Sequence, residues 1–284
     1  MPGNGSSVSL GTPVVPVVSI VVATLNEREN IPVLVERISQ LVLPAYEVVV
    51  VDDGSTDGTR QWLRDVGGRD PSIRLVLHEG RQSLLQAHSQ GIREARGEVV
   101  VIMDADLQHP PDLIPTIVSG VMSGTDIVIG SRFCNGELSA ERSLSRTLIS
   151  IGAVLLAKFV LGGAKKLSDP ISGFYGFRRT IFVPINPRWR GFELLPFLLA
   201  NGRHLSVTEV PYTFQPRNSG SSKIVSRDFS FVRTYLTQLI LVAKTKRRVR
   251  GSKLSPADAS RPMVADGNPE ADPGSPHDSP SKAA

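Results

Sequence analysis

The sequence has few of the features that define secreted or membrane-spanning proteins. Its 284 residues include one cysteine, Cys134, which excludes an intrachain disulfide and fits a reducing compartment. The opening segment, MPGNGSSVSLGTP, lacks a basic region followed by an apolar one, so it does not predict a secretion signal. The apolar stretch SRTLISIGAVLLAKFVLGG is interrupted by Lys158, and we therefore do not predict a membrane-spanning helix there.

Acidic residues are outnumbered by basic ones. The chain has 32 Lys and Arg against 27 Asp and Glu, a formal net charge of +5 and a pI near 9.5. An anionic partner is expected, which could be nucleic acid, membrane phosphate or a phosphorylated substrate. Basic residues are not interleaved with aromatic ones and concentrate towards the end of the chain, so we do not expect nucleic-acid binding.

Short β-branched runs alternate with segments of helical spacing over residues 17–132. The predicted strands are VVSIVVATL, YEVVVVDD, IRLVLH, EVVVIMDAD and TDIVIGSR. Between them lie the predicted helices NIPVLVERISQLV, DGTRQWLRDV, QSLLQAHSQGIREA and PDLIPTIVSGVM. Such alternation, with strands that are apolar throughout, predicts an α/β fold with a Rossmann-like, mostly parallel sheet flanked by helices.

Composition divides the chain into four segments. Residues 1–15 are rich in Gly, Ser and Pro and are predicted to be flexible, and residues 16–228 form the α/β domain. Residues 229–251 are predicted to be an amphipathic helix with a basic end. Residues 252–284 lack periodicity and are rich in Pro, Ser, Asp and Ala, which predicts a disordered tail.

Three of the predicted strands end in polar clusters, ATLNE, DDGSTDG and DADLQH. In an open parallel sheet, ligands bind beyond the carboxyl ends of the strands. In the second cluster we expect Asp52 or Asp53 to contact a ligand. The simpler alternative is a turn in which Ser55 or Thr56 caps the next helix and Asp57 lies near its positive end, and the two interpretations are compatible.

The third cluster predicts a divalent metal site. Asp104, Asp106 and Gln108 are spaced two residues apart, and alternate residues of an extended segment project to the same side. Mg²⁺ and Mn²⁺ prefer oxygen ligands, commonly one or two carboxylates together with substrate phosphates. A turn with capping is again the simpler alternative, and His109 is expected to be a packed loop residue.

Together these motifs resemble family 2 glycosyltransferases of the GT-A fold. The resemblance rests on VVATLNERENIP, EVVVVDDGSTDGT, VVVIMDADLQHPPDLIP, VIGSRF, LSDPISGFYGFRR, GFELLPFLL and VPYTFQPRNSGSSKI. DADLQHPP, SDPISGF and the later Arg and Lys pattern make the chain most similar to polyprenyl (dolichyl) phosphate mannose synthases. This group transfers a hexose, with inversion, from a nucleotide sugar to a lipid phosphate.

The resemblance implies roles for individual residues. The implied metal ligands are Asp104, Asp106 and Gln108, and the implied donor nucleotide-binding residues are Ala23, Glu27, Asp53, Asp104 and Asp106. The implied acceptor phosphate-binding residues are Arg132, Arg146, Ser150, Arg217 and Lys223. Asp169 is either a general base or a residue that positions the donor sugar or an arginine. With it, the implied catalytic residues are Asp104, Asp106, Arg132 and Arg217.

The implied substrates are a nucleotide sugar, with GDP-mannose favoured over a UDP-hexose, and a polyprenyl or dolichyl phosphate. The alternatives are another donor, such as UDP-glucose, or a hydroxyl acceptor on a lipid or polysaccharide. One departure from the family concerns the donor pocket. A Gly-Leu-Gly element is replaced by RQSLLQAHSQG, so Ser83 and Gln86 stand where glycines would let the backbone approach a ligand.

A lipid acceptor implies contact with a membrane. The apolar segments 148–160 and 229–243 can lie in the interface, with the basic cluster after Ala243 against anionic headgroups. The alternative is that both helices pack on the sheet. We expect a peripheral protein on the cytoplasmic face of a membrane, attached by these helices or by a membrane-anchoring partner.

Overall fold

One β-sheet organises the chain in this computed structural model. The structure describes residues 15–78, 80, 82–134, 144–161, 166–201, 205–213, 215 and 229–251, with the backbone alone at 144–149, 229–231 and 247–251. The strands within these ranges are β1 Val18–Thr24, β2 Tyr46–Asp52, β3 Ile73–Leu77, β4 Val99–Asp104, β5 Ile127–Ser131, β6 Tyr175–Arg178 and β7 Val207–Pro211. Across these residues the strand order is β3-β2-β1-β4-β6-β5-β7.

Helices cover both faces of the sheet. In the described ranges they are α1 Ile31–Ser39, α2 Thr59–Gly67, α3 Leu84–Glu94, α4 Ile114–Met122, α5 Leu144–Leu161, α6 Leu195–Asn201 and α7 Phe229–Gly251. Alternate residues of β1 enter opposite cores, Ile20 with α1 and α4 on one side and Val21 with α3 and α6 on the other. The predicted α/β fold is confirmed, and burial on both faces explains why the central strands are apolar throughout.

The second half of the sheet is less regular than the first. β6 lies antiparallel between β4 and β5, whereas β7 pairs in parallel with β5. Phe174, Tyr175 and Phe177 are fully buried, as expected for structural aromatics. The insertion of β6 brings the loop that precedes it, which contains Asp169 and Gly173, beside the end of β5.

The helices α5 and α7 pack against each other in parallel. The Tyr235 hydroxyl donates to the carbonyl of Ala153 at 2.7 Å, and Lys246 Nζ donates to the last carbonyls of α5, those of Val160 and Leu161. None of the helices in the described ranges combines the length and apolar character needed to span a bilayer. The predicted tail, residues 252–284, and the first 14 residues lie outside these ranges.

Close approach of α3 to the sheet depends on Gly91. A Cβ atom there would overlap Val21 and lie 3.0 Å from Val51 Cγ2. We predict that Gly91→Ala lowers the free energy of unfolding in urea by about 1–3 kcal/mol through overpacking. The matched control is Gly152→Ala in α5, where nothing lies within 4 Å of an added Cβ. That substitution should be neutral or stabilising by up to about 1 kcal/mol, and equal losses in both variants would contradict the packing role of Gly91.

Candidate active site

The strand register brings the polar strand ends together at one edge of the sheet. Ala23 of β1 lies opposite Val51 of β2 and Asp104 of β4. The turns after β1 and β2 are joined through Asn26, whose backbone is left-handed with φ 52°. Its N–H donates to Ser55 Oγ at 2.8 Å, and its Oδ1 accepts from the N–H of Thr56 at 2.8 Å. Two of the three predicted clusters are therefore one structural unit.

The two aspartates that end β2 have different environments. Asp52 is fully buried, and its Oδ1 accepts hydrogen bonds from the N–H groups of Gly54 and Ser55 and from Arg60. Asp53 is only partly buried, and its Oδ1 accepts from the N–H of Gln82 at 2.7 Å. Asp53 is therefore the member of the pair that remains accessible beside the crevice.

The helix cap expected at Ser55 or Thr56 is wrong, because the Ser55 hydroxyl and the backbone N–H of Thr56 pair with Asn26, whereas Asp57 lies at the start of α2 as expected. The α2 helix begins after Gly58, and Asp57 Oδ1 accepts from the N–H of Thr59 at 3.0 Å. Glu27 is buried nearby, and its Oε2 accepts from Asn30 Nδ2 at 2.7 Å. Its carboxylate is thus held at the edge where the resemblance places the donor nucleotide.

The loop after β4 turns sooner than expected. Residues 104–108 are not one extended segment, because β4 ends at Asp104 and Leu107 is left-handed with φ 63°. A left-handed conformation costs a residue such as Leu about 1–2 kcal/mol. Asp106 Oδ1 accepts from the N–H of Gln108 at 3.1 Å, and Gln108 Nε2 donates to the Gln215 carbonyl at 3.3 Å. The simple alternation predicted for this metal loop is wrong, and a strained turn replaces it.

A small space beside Asp104 is kept open by Gly173. A Cβ atom at this position would lie 3.6 Å from Asp104 Oδ2 and 3.7 Å from Glu193 Oε2. It would also lie 3.3 Å from His109 Cε1. His109 Nδ1 accepts from the N–H of Asp104 at 3.1 Å, and its ring stacks on Phe174. His109 is thus a packed loop residue, as expected.

The oxygen ligands near Asp104 fit a divalent metal that takes part of its coordination shell from the protein and the rest from a substrate. Among the residues that the structure describes, no group of three or more His, Cys, Asp or Glu side chains could hold a metal ion. Asp104 has a side chain that is 38% exposed, whereas Asp106 is buried. The exposed carboxylate of Asp104 suits an ion such as Mg²⁺, which is commonly bound by one or two carboxylates and completes its shell with phosphate oxygens and water.

Arg132 follows β5 and forms a bidentate ion pair with Asp169. Its Nε and Nη2 donate to Oδ2 and Oδ1 of Asp169 at 2.7 and 2.8 Å. Asp169 is fully buried, whereas the Arg132 side chain is 17% exposed. Burial opposes the charge of Arg132, but the Asp169 carboxylate outweighs it and raises the pKa of the guanidinium. Both oxygens of Asp169 are therefore committed to orienting Arg132.

The sequence interpretation assigned no role to Glu193, which lies in the quoted motif GFELLPFLL. Its Oε2 is sealed from solvent and has no hydrogen-bond partner among the described residues. Burial raises the pKa of Glu193 to about 7, with the charge of Arg132 opposing this shift and that of Asp169 adding to it. The only signal in the sequence for a role of Glu193 was that an acidic residue is set among apolar ones.

Other predicted residues lie on α3 or α5 or outside the described ranges. Arg217 and Lys223 lie outside them, and Arg146 is placed only as backbone within α5. Ser150, also in α5, is partly buried. Gln86 replaces an expected glycine and is buried, with Nε2 donating to the carbonyls of Asn186 and Trp189 at 2.9 and 2.8 Å. Its amide therefore anchors the segment that leads to Glu193.

Comparison with known proteins identifies related sequences. Residues 19–184 match the family model described as Glycosyl transferase family 2. A dolichol-phosphate mannosyltransferase from Pyrococcus furiosus is 37% identical over 76% of this chain and 62% of its own length. The enzyme of the same name from Saccharomyces cerevisiae is 30% identical over 78% of this chain and 85% of its own. A polyprenol monophosphomannose synthase from Mycolicibacterium smegmatis is 31% identical over 72% and 80%.

A solved structure shares the fold. Glucosyl-3-phosphoglycerate synthase from Mycobacterium tuberculosis, in complex with Mn²⁺, UDP-glucose and phosphoglyceric acid, superposes with a TM-score of 0.62. The alignment covers 81% of this chain and 80% of that one, at 21% identity. The GT-A architecture expected from the resemblance is therefore confirmed.

The raised pKa of Glu193 predicts a pH-dependent stability. Because the folded pKa of about 7 exceeds the usual 4.5, the contribution of Glu193 is fully present below pH 4.5 and is lost as the pH rises through 7. Glu193→Gln should remove this loss. From pH 5 to pH 8, the free energy of unfolding of the variant should therefore rise by on the order of 2 kcal/mol relative to that of the native chain.

The control for this prediction is Glu47→Gln. Burial opposes the charge of Glu47, but Arg96 and Ser19 outweigh it and lower the pKa of this carboxyl, so its stabilising contribution is lost as the pH falls. Urea titrations at each pH measure both variants. If the free energy of unfolding changed with pH in parallel for Glu193→Gln and the native chain, the raised pKa of Glu193 would be contradicted.

Proposed function

The chain belongs to glycosyltransferase family 2, and we propose that it transfers mannose from GDP-mannose to a polyprenyl monophosphate, with inversion at the anomeric carbon. The names of the relatives support this choice of donor and acceptor. The observation that carries the proposal is a sheet edge at which β4 ends in the accessible carboxylate of Asp104 and β5 is followed by an oriented guanidinium, that of Arg132.

The donor is proposed to lie across the ends of β1, β2 and β4. Ala23, Glu27 and Asp53 line the nucleoside side, where carboxylates can accept hydrogen bonds from the base or the ribose. Asp104 and Asp106, with Gln108, would hold a divalent metal, Mg²⁺ or Mn²⁺, that neutralises the diphosphate. When bound, such an ion acts as a Lewis acid that stabilises the charge of the leaving diphosphate.

The acceptor is proposed to reach the site from the side of Arg132. A phosphate monoester has a second pKa of about 6, so it is largely ionised at neutral pH and needs no strong base to attack. The difficulty is the approach of one anion to another. Arg132 offsets that repulsion, and its five N–H donors allow it to contact phosphate while Asp169 holds one edge. Arg146, Ser150, Arg217 and Lys223 are proposed to complete the phosphate site.

This arrangement favours one of the two roles considered for Asp169. A general base needs a carboxylate oxygen that can receive a proton, and both oxygens of Asp169 are bonded to Arg132. Asp169 is therefore proposed to position Arg132.

Transfer to a hydroxyl group is the second candidate function. A hydroxyl acceptor requires a general base whose pKa lies near the working pH. Glu193 is favoured for that role, because its pKa is near 7 and it lies beside the space that Gly173 keeps open.

Membrane attachment is proposed to use α5 and α7. Each helix exposes apolar side chains four residues apart, namely Ile151, Leu155 and Phe159 on α5 and Val232, Leu236 and Ile240 on α7. The sequence adds Lys244, Arg247, Arg248 and Arg250 near the end of α7. This combination suits the surface of an anionic bilayer. We propose a peripheral position on the cytoplasmic face of a membrane.

The first test is a screen of purified protein against several nucleotide sugars and short polyprenyl phosphates or hydroxyl acceptors. We expect transfer from GDP-mannose to the lipid phosphate in the presence of Mg²⁺ or Mn²⁺. Asp104→Asn and Asp106→Asn should each lower kcat/KM at least a hundredfold and weaken metal-dependent GDP binding.

The matched control is Asp70→Asn, which alters a turn aspartate bonded to Ser72 before β3. It should leave turnover within about twofold of the native value. Full activity in both site variants would remove the metal assignment.

A second test concerns the apolar stripes. Phe159→Ser combined with Leu236→Ser should weaken co-sedimentation with vesicles containing anionic lipid by about tenfold or more, since each buried apolar side chain contributes about 1.5–3 kcal/mol. The control pair is Val42→Ser with Met122→Ser, which removes exposed apolar groups elsewhere on the surface. Equal binding by both pairs would contradict the proposed face, and failure of the native chain to bind vesicles would point to a membrane-anchoring partner.

A further inference from the structure

A second carboxylate lies behind the ion pair of Arg132 and Asp169. Glu209 is on β7, opposite Ile129 of β5 in the parallel register. Its Oε1 accepts from the N–H of Asp169 at 2.8 Å, and its Oε2 accepts from the N–H of Ser168 at 2.7 Å. One carboxylate therefore holds two consecutive peptide groups of the loop that carries Asp169.

We propose that Glu209 is a positioning residue for the acceptor phosphate. It fixes the backbone at Asp169, and the Asp169 carboxylate in turn fixes the guanidinium of Arg132. This inference rests on the proposed function in one respect, namely that Arg132 meets the acceptor phosphate.

The strand pairing explains why Glu209 can act in this way. β5 and β7 remain paired as far as Ser131 and Pro211, and Arg132 follows directly after that last pair. Glu209 and the backbone of Arg132 are thus parts of one rigid ladder. The loop at Ser168 and Asp169 belongs to no strand, and Glu209 fastens it to the ladder from which Arg132 projects.

The hydrogen bonds concerned are of the stronger kind. A carboxylate that accepts from backbone N–H groups forms charge-assisted bonds, which are shorter and stronger than bonds between neutral groups. Asp169 is fully buried, so its position depends on its neighbours and not on solvent. A displacement of about 1 Å in a group that orients a reactant can cost a hundredfold in rate. The precise position of the Arg132 guanidinium therefore depends on Glu209.

A second carboxylate that accepts from a backbone N–H lies at the opposite end of the strands, and it provides a matched control. Glu47, near the start of β2, accepts from Ser19 Oγ at 2.7 Å and from the backbone N–H of Arg96 at 2.7 Å. Its other oxygen accepts from Arg96 Nε at 2.9 Å. Substitution of Glu47 should lower the stability of the fold to a similar degree as substitution of Glu209. The change would lie at the end of the sheet away from the crevice.

The experiment compares Glu209→Gln with Glu47→Gln. In Glu209→Gln an amide NH₂ faces a backbone N–H in place of an acceptor oxygen. We expect the KM for a short polyprenyl phosphate to rise about tenfold or more, while the KM for the nucleotide sugar changes less than about twofold. Glu47→Gln should lower the melting temperature without separating the two KM values. Glu209→Asp keeps the charge but is shorter, and it should fall between the native chain and Glu209→Gln.

A second readout does not depend on turnover. The Nε–H resonance of Arg132 in NMR spectra should exchange slowly with water in the native chain and in Glu47→Gln, and at least tenfold faster in Glu209→Gln. Unchanged exchange, or equal changes in both KM values, would overturn the role of Glu209. If the native chain transfers no sugar to any lipid phosphate, the proposed function fails, and the exchange rates still decide whether Glu209 holds Arg132.

Discussion

The ion pair between Arg132 and Asp169 is the interaction on which the rest of the site depends. Glu193 lies close enough to this pair for the charges of Arg132 and Asp169 to act on its pKa, and Asp104 ends β4 at the same edge of the sheet. Arg132 neutralises Asp169, to which it is bound at both oxygens. Burial raises the pKa of Glu193 to about 7, which lets it carry a proton near neutrality. Asp104 and Asp106 are the proposed ligands of a divalent ion that binds together with a diphosphate.

The segment that carries Glu193 is held from two sides. Gln86 of α3 donates to the carbonyls of Asn186 and Trp189. From α7, the fully buried Gln238 accepts from the N–H of Phe192 at 2.8 Å and donates to the carbonyl of Glu193 at 2.5 Å. The α7 helix, which is proposed to lie against the lipid, therefore also supports the segment that carries Glu193. Membrane attachment and the shape of the site thus depend on the same helix.

Much of this architecture could be predicted from the sequence, because the information is local. The first five strands follow from β-branched runs, and the position of Asp104 at the carboxyl end of its strand follows from the same pattern. Other features depend on distant partners. The cap at Ser55 was mispredicted because Asn26, 29 residues away, pairs with it. Asp169 and Glu209 are 40 residues apart, and their contact exists only because β6 turns antiparallel and β7 then pairs with β5. The left-handed Leu107 has no sequence signal, since a glycine would be expected at such a position.

The most direct test of the proposed metal site is anomalous diffraction from crystals grown with Mn²⁺ and GDP. The site predicts one strong manganese peak within ligand distance of the Asp104 and Asp106 carboxylates, on the side that Gly173 keeps open, with the diphosphate on the same ion. Manganese bound elsewhere, or a nucleotide held in the crevice with both carboxylates turned away from the ion, would contradict it.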